Sequence, residues 1–229
     1  MSDLDLSVII AAYEEEKNLP AVLEGVKKTL PDLRQLIVVD DGSRDNTARV
    51  AKEHGAQVIR HETNRGKGAA LRTGMAAAKG DIIIFLDADG QDPPSEIPLL
   101  LEPFEAGADF VNGSKFIGRC KEGAISGLNR IGNLFMSWLI NFLFSAGITD
   151  SQSGFRAIRK EKIAPVPLTA TEYEIETQML IRAIKHGLKI VEVPIVREKR
   201  RYGSTHFNRV RNGTRILFLI LGEYFSGDK

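Results

Sequence analysis

Apolar residues in this chain fall into short, nearly unbroken runs separated by segments of helical period. Leu6–Ala11, Leu36–Val39 and Ile82–Leu86 are apolar without alternation, and Gln57–Arg60 is a weaker run of the same kind. Such runs predict strands buried on both faces. Between them, Leu19, Val22, Leu23, Val26 and Leu30 recur on one side of a helix. Asp45-Asn46-Thr47 is suited to cap a helix reaching about His54, and Gly68–Lys79 is alanine-rich. Strands alternating with helices predict an α/β fold with a mostly parallel central sheet and helices on both faces.

The pattern changes after Gly113. Leu128, Ile131, Leu134, Phe135, Trp138, Leu139 and Phe142 predict a helix with a broad apolar face. The string "TDSQSGFRAIRK" reads as a loop, Tyr173–Lys185 as helix and Lys189–Val196 as extended chain. A basic stretch and the apolar run Ile216–Leu221 complete the sequence. No linker, repeat or low-complexity segment intervenes. The expected organisation is one domain over residues 1–196, followed by a basic loop and apolar interface segment over 197–229.

Composition narrows the function. With 229 residues, 43% hydrophobic and 27% charged, the chain suits a globular protein with one sizeable core. Its net charge of +1 gives no global field toward nucleic acid, so no nucleic-acid partner is expected. Cys120 is the only cysteine and the four histidines are scattered, which excludes an internal disulfide and argues against thiolate zinc sites. Met1–Leu6 lacks the basic start and apolar stretch of a signal peptide, so a reducing, cytoplasmic setting is expected. No apolar run reaches the roughly 18 residues of a spanning helix.

Ligands on parallel sheets sit beyond the carboxyl ends of the strands. Acidic segments lie at three of those ends: Tyr13-Glu14-Glu15-Glu16, Asp40-Asp41-Gly42-Ser43 and Asp87-Ala88-Asp89. Asp87, Asp89 and Gln91 offer hard oxygen ligands of the kind magnesium or manganese shares with a diphosphate. An EF-hand fits poorly, because Gly90 comes two positions early and Pro98 stands where the closing glutamate belongs. Taken alone, a D-x-D string is as readily a solvated turn. Three acidic strand ends in one crevice favour the metal. Asp40 and Asp41 suit hydrogen bonds from base N–H groups, of which uracil offers one at its pairing edge and guanine more. "NRGKGAALRTG" is a glycine-flanked basic loop that can meet phosphate through Arg65, Lys67 and backbone N–H groups. It is neither a Walker loop nor a dinucleotide fingerprint.

Together these strings resemble the family 2 glycosyltransferases. "VIIAAYEEEKNLP", "IVVDDGSRDNT", "NRGKGAALRTGM" and "FLDADGQDPP" stand in that family's order. "GSKFIGR", "DSQSGFRAIRK", "YEIETQML" and "EVPIVREKRRYGST" resemble the branch that makes dolichol-phosphate mannose and dolichol-phosphate glucose. The resemblance covers about Leu6 to Leu221. It implies the GT-A fold, with Ala12, Tyr13, Glu15, one of Asp40 and Asp41, and Lys67 around the nucleotide. It also implies that Asp87, Asp89 and Gln91 bind Mg2+ or Mn2+ and the donor diphosphate. Ala12 and Glu14 depart from the family, which usually has proline and often asparagine there. The Q-x-x-R-W string of polymerising relatives is absent, although Asp150 stands where they carry a catalytic base, so a processive synthase is not expected.

The acceptor reading starts from charge. A lipid monophosphate, with a second pKa of about 6, is already largely dianionic at neutral pH and needs cations rather than a general base. From Arg197 to Arg215 there are seven Lys/Arg against one acid, Glu198. Arg119, Arg130, Arg200 and Arg201, with Ser153 and Ser204 as hydroxyl donors, are the acceptor-phosphate candidates. The apolar segments beside these clusters fit either core packing or an anionic lipid surface. The expected function is therefore inverting transfer of a hexose from a nucleotide sugar to polyprenyl or dolichyl phosphate. GDP-mannose is the favoured donor and UDP-glucose the alternative. The expected setting is peripheral, on the cytoplasmic face of a membrane, with a separate anchoring subunit as a candidate partner. A sugar nucleotidyltransferase and a non-catalytic nucleotide-sugar binder are the rival classes.

Overall fold

A computed structural model describes residues 5–204 and 208–226. Met1–Leu4 of the N-terminal reading and Thr205 of the "YGST" string lie outside the described residues. The order along the chain is β1 (Leu6–Ala12), α1 (Leu19–Thr29), β2 (Gln35–Asp40), α2 (Thr47–Glu53), β3 (Gln57–Arg60), α3 (Lys67–Ala77), β4 (Ile82–Asp87) and α4 (Ile97–Leu101). There follow β5 (Phe110–Cys120), α5 (Gly127–Phe144), β6 (Arg156–Arg159), α6 (Lys160–Ile163), α7 (Ile175–Lys185), β7 (Ile190–Arg197) and α8 (Arg209–Phe225).

The strands form one seven-stranded sheet in the order β3-β2-β1-β4-β6-β5-β7. β1, β2, β3 and β4 are mutually parallel, as is the β5–β7 pair, while β6 runs antiparallel between β4 and β5. The continuous apolar runs are buried on both faces, as their lack of alternation requires. Val8, Ile10 and Ala12 pack toward Leu19, Val22, Leu23 and Val26 of α1 and Ile97 and Leu100 of α4. Ile9, Ile37 and Val39 face Ala70 and Leu71 of α3 and Ile175 and Met179 of α7. Helix α3 lies so close to the sheet that a Cβ on Gly74 would stand 2.5 Å from Ile9 Cγ2.

Two strands were not expected from the sequence. β6, the segment Arg156-Ala-Ile-Arg159, has only two apolar residues and depends on partners distant in the chain. β5 begins just before the expected change of pattern and is buried only in its first half. The helix over 127–144 forms, but its apolar face stays largely outside. Only Ser137 and Ile140 are buried, while Leu128, Ile131, Phe135, Trp138 and Phe142 are exposed. Helix α8 docks through Ile216 and Ile220 against Ile140 and Ile181, leaving Phe218 and Phe225 outside. Among the described residues no helix is long and apolar enough to cross a membrane.

Candidate active site

Strand register builds the site. Ala12 lies opposite Asp40 on one side of β1, and Ala11 lies opposite Asp87 on the other. The carboxyl ends of β2, β1 and β4 therefore finish side by side. They open into a cleft of about 1170 Å3, lined among others by Tyr13, Glu15, Asp41, Lys67, Asp87 and Asp89.

The carboxylates are held by cations of the chain itself. Lys67 sits between Asp87 Oδ1 and Glu176 Oε1, its Nζ 2.6 Å from each. Burial opposes charge on Lys67, but Asp87 and Glu176 outweigh it and raise its pKa above the lysine value. Burial would likewise raise Asp87, yet Lys67 and Arg197 hold it below the ordinary aspartate value. Arg197 donates from Nη2 to Gln91 Oε1 at 3.0 Å and from Nη1 to Asp92. Arg200 Nη2 donates to Glu15 Oε1 at 2.6 Å, and its Nη1 lies 3.6 Å from Asp89. Burial raises Glu15 and Asp92 above their usual values despite these partners.

Asp40 and Asp41 separate into different roles. Asp40 is fully buried, accepts from the Ser43 N–H at 3.0 Å and pairs with Arg60 at 3.1 Å. It holds the turn after β2 and does not reach the cleft. Asp41 does reach it. Its Oδ1 accepts from Arg65 N–H at 3.0 Å and lies 2.6 Å from His61 Nδ1, while Oδ2 accepts from Gly66 N–H at 2.8 Å. Asp41 thus shapes the segment that delivers Lys67. Gly66 has φ +93 and would place a Cβ 2.3 Å from the Thr171 carbonyl, so only glycine fits.

Of the residues singled out from the sequence, Ala12, Tyr13, Glu15, Asp41, Lys67, Asp87, Asp89, Gln91, Ser153, Arg200 and Ser204 line the cleft. Arg119, Arg130 and Arg201 are exposed and lie outside its lining. Arg119 lies near the end of β5, opposite Val196 of β7, and the Arg130 guanidinium stands 5.8 Å from the Phe116 ring centre. Sequence reasoning missed Glu176, Asp92 and Arg197. Asp92 stands next to Gln91, Glu176 lies within "YEIETQML", and Arg197 opens the basic run, but nothing local distinguished them. Arg156, which the sequence suggests as one of the cations flanking the apolar helix, takes a structural position instead. It is buried and donates to the Ser151 and Glu176 carbonyls, which fixes the start of α7 against the loop carrying Ser153.

Asp150 has no freedom to act as a base. It is fully buried, and its Oδ2 lies 2.6 Å from Lys115 Nζ. Among the described residues no three His, Cys, Asp or Glu side chains converge tightly enough to hold an ion unaided. Asp87 and Asp89 with the Gln91 amide oxygen offer a partial set of hard donors. Such a set suits magnesium or manganese when phosphate oxygens and water complete the shell.

A model of family 2 glycosyl transferases matches residues 7–164, the segment that supplies the sheet core and all the strand-end carboxylates. The chain belongs to glycosyl transferase family 2. It is 32% identical to a UDP-N-acetylglucosamine–dolichyl-phosphate N-acetylglucosaminyltransferase of Methanococcus voltae, over 96% of this chain and 96% of the relative. It is also 32% identical to a dolichyl-phosphate hexose transferase of Haloferax volcanii, over 93% of this chain and 90% of that one. Among solved structures, glucosyl-3-phosphoglycerate synthase from Mycobacterium tuberculosis, in complex with Mn2+, uridine diphosphate and glucosyl-3-phosphoglycerate, superposes with a TM-score of 0.80. That match has 26% identity and covers 98% of this chain and 81% of the other. The fold of this glycosyltransferase is GT-A, as the order of motifs implied.

Proposed function

We infer that this glycosyltransferase moves a hexose from a nucleotide sugar to a polyprenyl or dolichyl phosphate with inversion at the anomeric carbon. One observation carries the reading. The carboxylate cluster at the strand ends shares a single cleft with Arg200 and Ser204 of the basic segment, and with Leu128, Gly132, Met136, Val210, Gly213 and Ile216 of α5 and α8. A Cβ built on Gly132 or Gly213 would meet nothing within 4 Å, so the space between these helices is open to an apolar chain. One end of the cleft suits a diphosphate, the other a lipid, and cations lie between.

Tyr13, Glu15 and Asp41 would border the nucleotide, with Ala12 supplying backbone. A bound Mg2+ or Mn2+ ion, held by Asp87 and Asp89 near Gln91, would supply positive charge to the departing diphosphate. Lys67 holds Asp87 and Glu176 apart and in place. Glu176 Oε2 is buried without a hydrogen-bond partner, which suits it to a sugar hydroxyl. Arg200 and Ser204 would hold the acceptor phosphate in line, and Arg119, Arg130 and Arg201 would attract it from outside the cleft. An acceptor that is already an anion needs no general base, in keeping with an Asp150 locked against Lys115. Positioning and electrostatics would do most of the catalytic work.

Residues 1–196 would then form the catalytic unit and 197–229 the acceptor-side segment. The exposed stripe of α5 would rest on the cytoplasmic face of a membrane, alone or with an anchoring subunit. Its residues Leu128, Ile131, Phe135, Trp138 and Phe142 follow a heptad-like spacing, and Trp138 stacks between Phe135 and Phe142 at 5.9 and 5.7 Å. GDP-mannose is the donor in this proposal. UDP-glucose is the alternative, favoured by the likeness to a uridine-diphosphate-bound structure.

A donor screen tests the proposal. Protein, Mn2+ or Mg2+ and a short polyprenyl phosphate are incubated separately with GDP-mannose, UDP-glucose and UDP-N-acetylglucosamine. Lipid-linked sugar from one donor is expected. Metal-dependent donor binding without transfer to any lipid phosphate would overturn the acceptor assignment.

A further inference from the structure

The residues that would bind the metal already face cations of the chain itself. Lys67 holds Asp87 Oδ1, while Arg197 holds Gln91 Oε1 and Asp92 and lies 3.8 Å from Asp89. Arg200 bridges Glu15 and Asp89. The segment carrying both arginines is stitched across the acidic turn by neutral bonds as well. Glu198 N–H donates to the Gln91 carbonyl at 2.7 Å, and Gln91 Nε2 donates back to the Glu198 carbonyl at 2.9 Å. Tyr202 N–H donates to Asn18 Oδ1 at 3.2 Å, and Asn18 Nδ2 to the Tyr202 carbonyl at 3.1 Å. Asn18 Nδ2 also holds Glu15 at 2.7 Å, which closes the ring.

We propose that Arg197 and Arg200 form a cation latch on the donor site. In the donor-free enzyme their guanidiniums stand where the metal belongs. Metal bound with a nucleoside diphosphate displaces them from Asp89 and Gln91, and the freed arginines turn to the acceptor phosphate. The exchange conserves charge compensation at every stage: the carboxylates are never left bare, and the arginines are never left without an anion. It also imposes an order. Arg197 and Arg200 stay paired with Asp92 and Glu15 until the donor is seated, which leaves the exposed Arg209 of the cleft lining to meet the acceptor phosphate first, so the lipid binds tightly only second. Arg197 is thereby a positioning residue that the basic run alone did not distinguish. This inference rests on the donor-site reading above.

Two measurements on the full chain test it. The first is Mn2+ affinity without nucleotide, from the electron paramagnetic resonance signal of the free ion, in the native protein, Arg197→Met, Arg200→Met and the surface control Arg34→Met. Removing a like charge a few ångströms from the ion should tighten Mn2+ binding by roughly tenfold in each latch variant and leave Arg34→Met unchanged. Arg200→Met keeps the Arg197–Asp92 pair intact, so it still reports if Arg197→Met folds poorly. The second is amide exchange at Glu198 and Tyr202, with Mn2+ and either GDP or UDP. Faster exchange on nucleotide binding is the expected result. Slower exchange there, with Mn2+ affinity unchanged or weaker in both variants, would overturn the latch and make the arginines ligands of the bound diphosphate. Failure of both GDP and UDP to bind with Mn2+ would overturn the donor-site reading and the latch with it.

Discussion

Gly154→Ala separates positioning from stability. A Cβ on Gly154 would stand 2.8 Å from both carboxylate oxygens of Asp87. Gly154 is not among the positive-φ residues, so alanine meets no backbone strain there. The collision is with a side chain, but not a free one, because Lys67 holds Asp87 at 2.6 Å. Reaching ordinary contact, which begins at 3.4 Å, moves the carboxylate by about 0.6 Å. Misplacing a reacting or positioning group by 1 Å costs on the order of 100-fold. Catalytic efficiency should therefore fall about 10- to 100-fold, or about 1.4 to 2.7 kcal/mol in transition-state stabilisation. Folding stability should change by less than about 1 kcal/mol. The assay is kcat/KM for lipid-linked product beside a denaturant melt, with Gly222→Ala as the control, since a Cβ there meets nothing within 4 Å. Efficiency within twofold of the native enzyme would refute the argument that the position of Asp87 is critical. Loss of folding in parallel with activity would assign Gly154 to the scaffold instead.

Asp89→Ala should reduce turnover at least about 1000-fold at saturating Mn2+; near-normal rates would defeat the metal assignment. Lys67→Met leaves Asp87 and Glu176 buried without their shared cation and should cost about 3 to 5 kcal/mol at pH 7. In the native protein the lowered pKa of Asp87 means its pairing contributes above the unfolded value of 3.8 and is lost only as pH falls below that. In the variant, desolvation without Lys67 raises that pKa, so protonation favours the folded state as pH drops. The gap between variant and native should narrow from pH 7 to pH 5 in urea melts; a constant gap argues against buried charge as the cause. Phe135→Ser with Phe142→Ser removes two exposed apolar anchors. At about 1.5 to 3 kcal/mol per buried phenylalanine, binding to anionic vesicles should weaken by 100-fold or more. Trp138, the only tryptophan, reports the contact by a blue shift in the native protein; vesicles that leave its emission unmoved would remove α5 from the membrane surface.

Much of the site could be read along the chain because each piece is local. Asp87, Asp89 and Gln91 share one turn, and the apolar run before them marks a strand whose end must carry the ligand. Residues that act across the cleft were less legible. Glu176 looks like any acidic residue in the first turn of a helix until Lys67 is found between it and Asp87. Asp40 and Asp41 are indistinguishable as adjacent letters. Only strand geometry turns one toward Arg60 and the other toward the cleft. The apolar face of α5 read equally as core or surface, because periodicity gives the direction of a helix face but not what covers it.

The sequence by itself determined the strand–helix alternation, the parallel half of the sheet and the strand ends where carboxylates collect. These follow from hydrophobic period and chain direction, which act over a few residues. Tertiary structure decided the rest. It inserted antiparallel β6 between β4 and β5, and with it brought the Ser153–Gly154 loop against Asp87. It also answered which positive charges of the chain itself meet the acidic turn. Arg197 and Arg200, more than a hundred residues along the chain, fold back over Asp89 and Gln91. Buried carboxylates require counter-charge whatever its distance in sequence, and only the folded chain determines which cations come within reach.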